Sequence, residues 1–174
     1  MGDRSTKYYS SRQEKSISSK LGWRVVVGSG ARDCHPGDIR SSEWLGECKT
    51  HTAPGTKIQF LESVWKKIED EATSQFLYPV LFVDDGSQRL DRTYCMLGII
   101  PESDDVRVVP YPYSLRSKNI AFYHEDMNAY IKNRITFYSD IVQAPAIFLE
   151  VKVSETKSKY ITTLENFSYF FGDN

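Results

Sequence analysis

Two carboxylates and an amine lie close together in the stretch DIRSSEWLGECK, as Asp38, Glu47 and Lys49. These residue types can do chemistry on phosphate. Hard oxygen ligands suit Mg²⁺, which keeps several waters and takes only one or two carboxylates from a protein. An ion held in this way makes water a nucleophile near neutral pH and stabilises charge on a phosphoryl oxygen. The carbonyl of Cys48, between the two charged residues, can supply a further oxygen. The Lys49 ammonium can orient the attacking water or stabilise the transition state. Phosphodiester hydrolysis is the reaction such a set supports. The same spacing also occurs by chance in surface hairpins whose charges are merely solvated, so the surrounding elements carry much of the argument.

A hairpin must position these groups. With Ser41-Ser42 as a two-residue turn, Arg40 faces Glu43 and Asp38 faces Leu45. Directly opposed residues share a face, as do residues two apart. Asp38, Leu45, Glu47 and Lys49 then lie on one face, with Trp44, Gly46 and Cys48 on the other. A three-residue turn would break that parity.

Upstream, Ser11-Arg-Gln-Glu14 fits a capping box opening a helix over Ser11 to Leu21, which Gly22 ends. Glu14, Ile17 and Leu21 share one face at spacings of three and four, which puts a carboxylate on the buried stripe. Trp23 to Gly28 reads as a strand and Gly28-Ser-Gly30 as the start of a loop. Downstream, Thr56-Lys-Ile-Gln59 fits a second capping box. A helix from Lys57 to Ala72 follows, with Ile58, Leu61, Val64, Trp65, Ile68 and Ala72 as its apolar stripe. YPVLFV and TYCMLGII are apolar strands. Beyond residue 100 one short strand, a helix within YHEDMNAYIKNRITFYSDIV and a strand APAIFLEVKV are expected. The order implies a mixed α/β sheet flanked by helices. Aromatic residues crowd the second half, among them Tyr111, Tyr113, Phe122, Tyr123, Tyr130, Phe137 and Tyr138. They are expected to pack a core, with stacking on nucleic-acid bases as the alternative.

In this setting the residues resemble the PD-(D/E)XK nuclease superfamily, in particular its archaeal-type and phage Holliday junction resolvases. The resemblance spans about Ser11 to Asp84. Glu14 matches the acid of the first helix, Asp38 in PGDI the motif aspartate, and Glu47 and Lys49 in GECKT the (D/E)XK pair. Ser29 in GSGA resembles a loop serine near the site of some resolvases, and Gln59 a polar residue often placed on the following helix. Gly37 stands between Pro36 and Asp38 where the family name implies a direct Pro-Asp pair, and the second half matches no resolvase pattern.

The resemblance implies a restriction-endonuclease-like mixed sheet flanked by helices. Residues 1–100 would form the nuclease core, and residues 101–174 a C-terminal elaboration completing or packing on the same domain. It further implies a Mg²⁺-dependent DNA endonuclease, with Mn²⁺ able to substitute. Asp38, Glu47 and the Cys48 carbonyl would hold one or two ions, assisted by Glu14, and Lys49 would orient the attacking water. Branched DNA is the implied substrate, cut to leave 5′-phosphate ends, and a homodimer is implied by the two symmetric strands of a junction. Alternatives are another role on the same fold (restriction, repair or host-DNA degradation) and a DNA- or protein-binding module with an idle site.

Arg32, His35, Arg40 and His51 are candidate phosphate contacts at the mouth of the site, with solvated loop side chains as the ordinary alternative for the two arginines. Cys34, His35, Cys48 and His51 raise a zinc alternative. Against it, Cys48 faces away from Glu47 and Lys49, and Cys34-His35 are adjacent rather than spaced as in zinc fingers.

Bulk properties agree with a folded chain of 174 residues, 40% hydrophobic and 26% charged. Three scattered cysteines do not form a disulfide framework, and a reducing cytoplasm is expected. No apolar run approaches the roughly 20 residues that span a bilayer, and MGDRSTKYYSSRQEK lacks the apolar core of a signal peptide. MGDRST has the pattern of a myristoylation start, but nothing else in the chain points to a membrane. A net charge of −1 is not the basic total usual for nucleic-acid binding. Residues 1–49 nevertheless hold nine basic against six acidic side chains, and three of those acids belong to the set above.

Overall fold

The computed structural model describes residues 6–27, 36–115, 118–139 and 145–173. Helix α1 spans Thr6–Leu21, followed by the strands β1 (Arg24–Val25), β2 (Ile39–Arg40) and β3 (Trp44–Lys49). Next come β4 (Ile58–Phe60), α2 (Glu62–Thr73), β5 (Tyr78–Val83) and β6 (Tyr94–Leu97). The second half holds β7 (Val106–Pro110), β8 (Ile120–Phe122), α3 (His124–Tyr138), β9 (Ala146–Lys152), β10 (Ser158–Thr163) and α4 (Leu164–Phe171).

Eight strands form one mixed sheet in the order β1-β2-β3-β5-β6-β10-β9-β7. β1, β2 and β3 are an antiparallel meander. β5 then lies parallel to β3, the crossover being made by β4 and α2, and β7 is likewise parallel to β9. Strands from the second half therefore extend the sheet built by the first.

Side-chain alternation along the central strands divides the core into two layers. Leu45, Leu81, Val83 and Met96 point to one face, where they meet Trp65, Ile68 and Ala72 of α2 and Met127 and Ile131 of α3. Trp44, Cys48, Val80, Phe82 and Cys95 point to the other, against Ile17 and Leu21 of α1 and Leu164 and Phe167 of α4. Buried on both sides, β5 and β6 read as continuous apolar runs. Phe122 belongs to the core, and Tyr111, Tyr130 and Tyr138 pack partly against it, while Tyr113, Tyr123 and Phe137 are exposed.

Several local expectations are corrected. α1 begins at Thr6, so Ser11 lies inside the helix and Glu14 is not a capping partner. The second capping box does not form either. Ile58, Gln59 and Phe60 are a strand paired with Ile120–Phe122 of β8, and Thr56 is turned to the Asp85 carbonyl through both its N–H and its hydroxyl. Ile58 and Phe60 bury their side chains from this strand. Ile58, three residues before Leu61, fits the start of a helical stripe equally well by spacing alone. α2 keeps the remainder of that stripe, with Trp65, Ile68 and Ala72 buried.

Candidate functional site

The site gathers at the C-terminal end of β3. The register with β2 sets Ile39 against Gly46 and Arg40 against Leu45, with Ser41 N–H donating to the Trp44 carbonyl. Relative to the two-residue turn this is a shift of two, which leaves every β3 side chain on its expected face. Leu45 is in the α2 layer and Cys48 in the α1 layer, and Glu47 and Lys49 join through an ion pair of 2.5 Å.

Asp38 arrives by another route. Its N–H donates to the Gly46 carbonyl at 2.8 Å, so Asp38 and Ile39 both oppose Gly46, as in a β-bulge. Simple alternation therefore stops at Ile39. The Asp38 side chain turns along the sheet edge, where its Oδ2 accepts the Cys48 N–H at 2.9 Å in place of a backbone carbonyl. A strand residue sends its N–H and C=O to the same edge, which directs the Cys48 carbonyl to the edge that holds Asp38. Gly37 makes the entry possible. Its φ of +69° is a left-handed conformation that side chains other than glycine rarely adopt, and Glu71 of α2 accepts its N–H at 3.2 Å.

Glu14 reaches this cluster from α1. Its carboxyl is held above the usual carboxylate range, first by burial and then by the charges of Asp38 and Glu47. Asp38, from the bend before β2, and Glu47, from β3, are thus close enough to act on the Glu14 carboxyl of α1. Glu47 itself is only 5% exposed. Burial works to lower the pKa of the Lys49 ammonium, but the charge and hydrogen bond of Glu47, followed by Asp38, outweigh it and hold the group above the ordinary lysine value. Lys49 is therefore a proton-bearing donor at neutral pH. The Cys48 thiol is pushed up by burial and then by the same acids, and it lies in the apolar layer under α1, on the opposite face of β3 from Glu47 and Lys49.

The remaining expected residues are placed differently. Arg40 donates to Gln75 at the end of α2 at 3.1 Å, which makes it a brace between sheet and helix. His51 and Gln59 line a small cavity of about 140 Å³ together with Lys49 and Thr50, so they do neighbour the site, with Gln59 presented by β4 instead of a helix. Ser29, Arg32 and His35 lie outside the described residues, as does Cys34.

Two further residues belong to the site's support. Gln13, beside Glu14, is 2% exposed and donates its amide to the Lys49 carbonyl at 2.9 Å. Asp84 directly follows β5, and its N–H reaches the same carbonyl at 3.4 Å. Its carboxylate Oδ1 accepts the Thr50 hydroxyl at 2.6 Å and the Gly86 N–H at 2.7 Å. Fully buried, with Oδ2 lacking a partner, Asp84 is raised by desolvation in spite of those bonds. An apolar run ending in Asp-Asp-Gly at the ends of parallel strands was the available sequence signal for Asp84. Gln13 gave none, because its role depends on which strand end α1 covers.

Glu47 and Asp38 are each turned to a protein partner. Among the described residues, no group of three or more His, Cys, Asp or Glu side chains is gathered to hold a metal ion. The donor types nevertheless fit Mg²⁺. They are hard oxygens near one strand end, with Glu14 raised by the charges of Asp38 and Glu47 and eased by the ammonium groups of Lys49 and Lys15. Compared with family models, with curated proteins and with solved structures, the chain gives no significant match. Among the described residues no helix is long and apolar enough to cross a membrane.

Proposed function

We propose that the chain is a Mg²⁺-dependent endonuclease acting on DNA, and that branched DNA is its preferred substrate. The observation that carries this reading is the convergence of Glu14, Asp38 and Glu47 beside Lys49. A helix, the bend that enters β2 and the strand β3 contribute the acids, and burial together with the neighbouring charges raises the Glu14 carboxyl. The chain order of helix with inward acid, three-strand meander, crossover helix and parallel strand also supports the resemblance to PD-(D/E)XK nucleases.

Asp38, Glu47 and the Cys48 carbonyl would hold the ion, with Glu14 nearby. When bound, Mg²⁺ supplies stabilisation of charge on a phosphoryl oxygen and acidification of water. Lys49 keeps its proton on Nζ and acts as a donor, orienting the attacking water or stabilising the developing charge on phosphorus oxygens. The raised Glu14 carboxyl is the group of the set best suited to exchange a proton with water. Gln13 and Asp84 hold the Lys49 backbone so that the ammonium is presented at a fixed strand end.

The test is cleavage of labelled four-way, flap, linear duplex and single-stranded DNA with Mg²⁺. Glu47→Ala and Lys49→Ala should each lower cleavage at least 100-fold while circular dichroism shows a retained fold. Variants that cut like the parent would end the nuclease reading. Equal cleavage of all four substrates would end only the branched-DNA preference.

A further inference from the structure

The exposed face of α1 has a charge pattern that the chemistry of the site does not use. α1 carries Lys7, Arg12, Lys15 and Lys20 against one acid, Glu14, in a chain whose net charge is −1. Lys7, Arg12 and Lys15 are exposed, and none of the three forms an ion pair among the described residues. Lys7, Ser11 and Lys15 follow one another at intervals of four, and Tyr8, Arg12 and Ser16 form the adjacent row. These six residues line a surface groove of about 550 Å³. Gln13, Ile17 and Leu21 bury the opposite face. Glu14 sits at the seam between the two faces, so the basic rows begin where the candidate site ends.

We propose that this face is the track for the sugar-phosphate backbone of the nucleic acid leading to the site, a surface that rests on the nuclease reading. Lys7 and Lys15 are eight residues apart on the helix, a rise of about 12 Å. Arg, Lys, Ser and Tyr are the side chains that ordinarily contact phosphate and sugar. An anionic lipid surface shares the phosphate chemistry, but an interfacial helix pairs its basic face with an exposed apolar one. The only large apolar side chain exposed on α1 among the described residues is Tyr8, whose polar hydroxyl suits a wet contact.

The experiment measures binding of the full chain to a fluorescent four-way junction and to a linear duplex, without divalent metal, by anisotropy from 50 to 200 mM salt. The variant combines Lys7→Ala, Arg12→Ala and Lys15→Ala, alanine being the strongest helix former. Each lost phosphate contact reduces the salt slope by about 0.9, so the parent should lose roughly 40-fold more affinity than the variant across that range. Lys66→Ala combined with Lys132→Ala, exposed on α2 and α3, should leave the slope unchanged. An unchanged slope in the triple variant, or a parent that binds no DNA, overturns the track. Preferential binding of phosphatidylserine vesicles, lost in the triple variant, overturns it in favour of a membrane surface. The two readings fail separately. A parent that binds with the expected slope difference but cuts nothing loses the nuclease chemistry and keeps the track. A triple variant that binds and cuts like the parent loses the track and keeps the chemistry.

Discussion

Removing the two partners of the Glu47–Lys49 pair should have unequal effects. Glu47 is buried, whereas the Lys49 side chain is 48% exposed. Lys49→Met keeps most of the apolar stem but leaves Glu47 facing Asp38 and Glu14 without its cation. Breaking a fully buried pair costs about 3–5 kcal/mol, and an exposed pair is worth about 0–1 kcal/mol. With one partner buried and the other half in solvent, a loss of about 2 kcal/mol is expected, or about 4–8 °C in Tm for a chain of this size. Glu47→Gln removes one of three repelling acids and leaves an ammonium that water can solvate, so its cost should stay below about 1 kcal/mol.

The pH dependence follows from the raised Glu14 carboxyl. An acid whose folded pKa lies above its unfolded value adds stability at low pH, and that stability is lost as pH rises through the folded value. Lys49→Met removes a charge that lowers the Glu14 pKa, so its destabilisation should be largest at pH 8 and should shrink toward pH 4.5. Urea unfolding followed by circular dichroism in metal-free buffer at both pH values measures this directly. A Glu47→Gln variant that loses as much stability as Lys49→Met, or a Lys49→Met loss that does not change with pH, would refute the proposed crowding of acids.

Two further predictions concern the loop behind the site. Gly86 has φ +86°, and a Cβ there would come within 2.1 Å of the Ala53 carbonyl oxygen, whereas Gly55 has φ +77° and open space around it. Gly86→Ala should therefore cost more than 3 kcal/mol and Gly55→Ala about 1 kcal/mol, read as the difference between their urea midpoints. Asp84 has a folded pKa raised above the usual carboxylate value, so its contribution to stability falls as pH rises through that raised value. Asp84→Asn keeps an acceptor for Thr50 and Gly86 without the charge. Its stability should fall less than the parent's between pH 4 and pH 7, and parallel curves would show that Asp84 does not titrate in that interval.

Much of the site could be read locally. Glu47 and Lys49 share a face because strand alternation is a property of neighbouring residues, and a register shift of two could not alter it. Trp65, Ile68 and Ala72 likewise declared a buried helical face by spacing alone. Glu14 was legible as an acid on a buried stripe even though the capping box proposed beside it does not form.

Other features depended on partners far along the chain. Ile58–Phe60 became a strand because β8, some sixty residues later, supplies its backbone partners. Arg40 donates to Gln75, just beyond the end of α2, a partner thirty-five residues away that spacing alone does not reveal. Gln13 and Asp84 acquired their roles because α1 and the end of β5 close over the same carbonyl of Lys49. The sequence by itself determined which groups could do the chemistry and which strand carries two of them, since residue type and alternation are local. Only the tertiary structure decided that Asp38 turns in through a bulge to the Cys48 amide and that Glu14 arrives beside it, since both depend on long-range packing and on the desolvation it imposes.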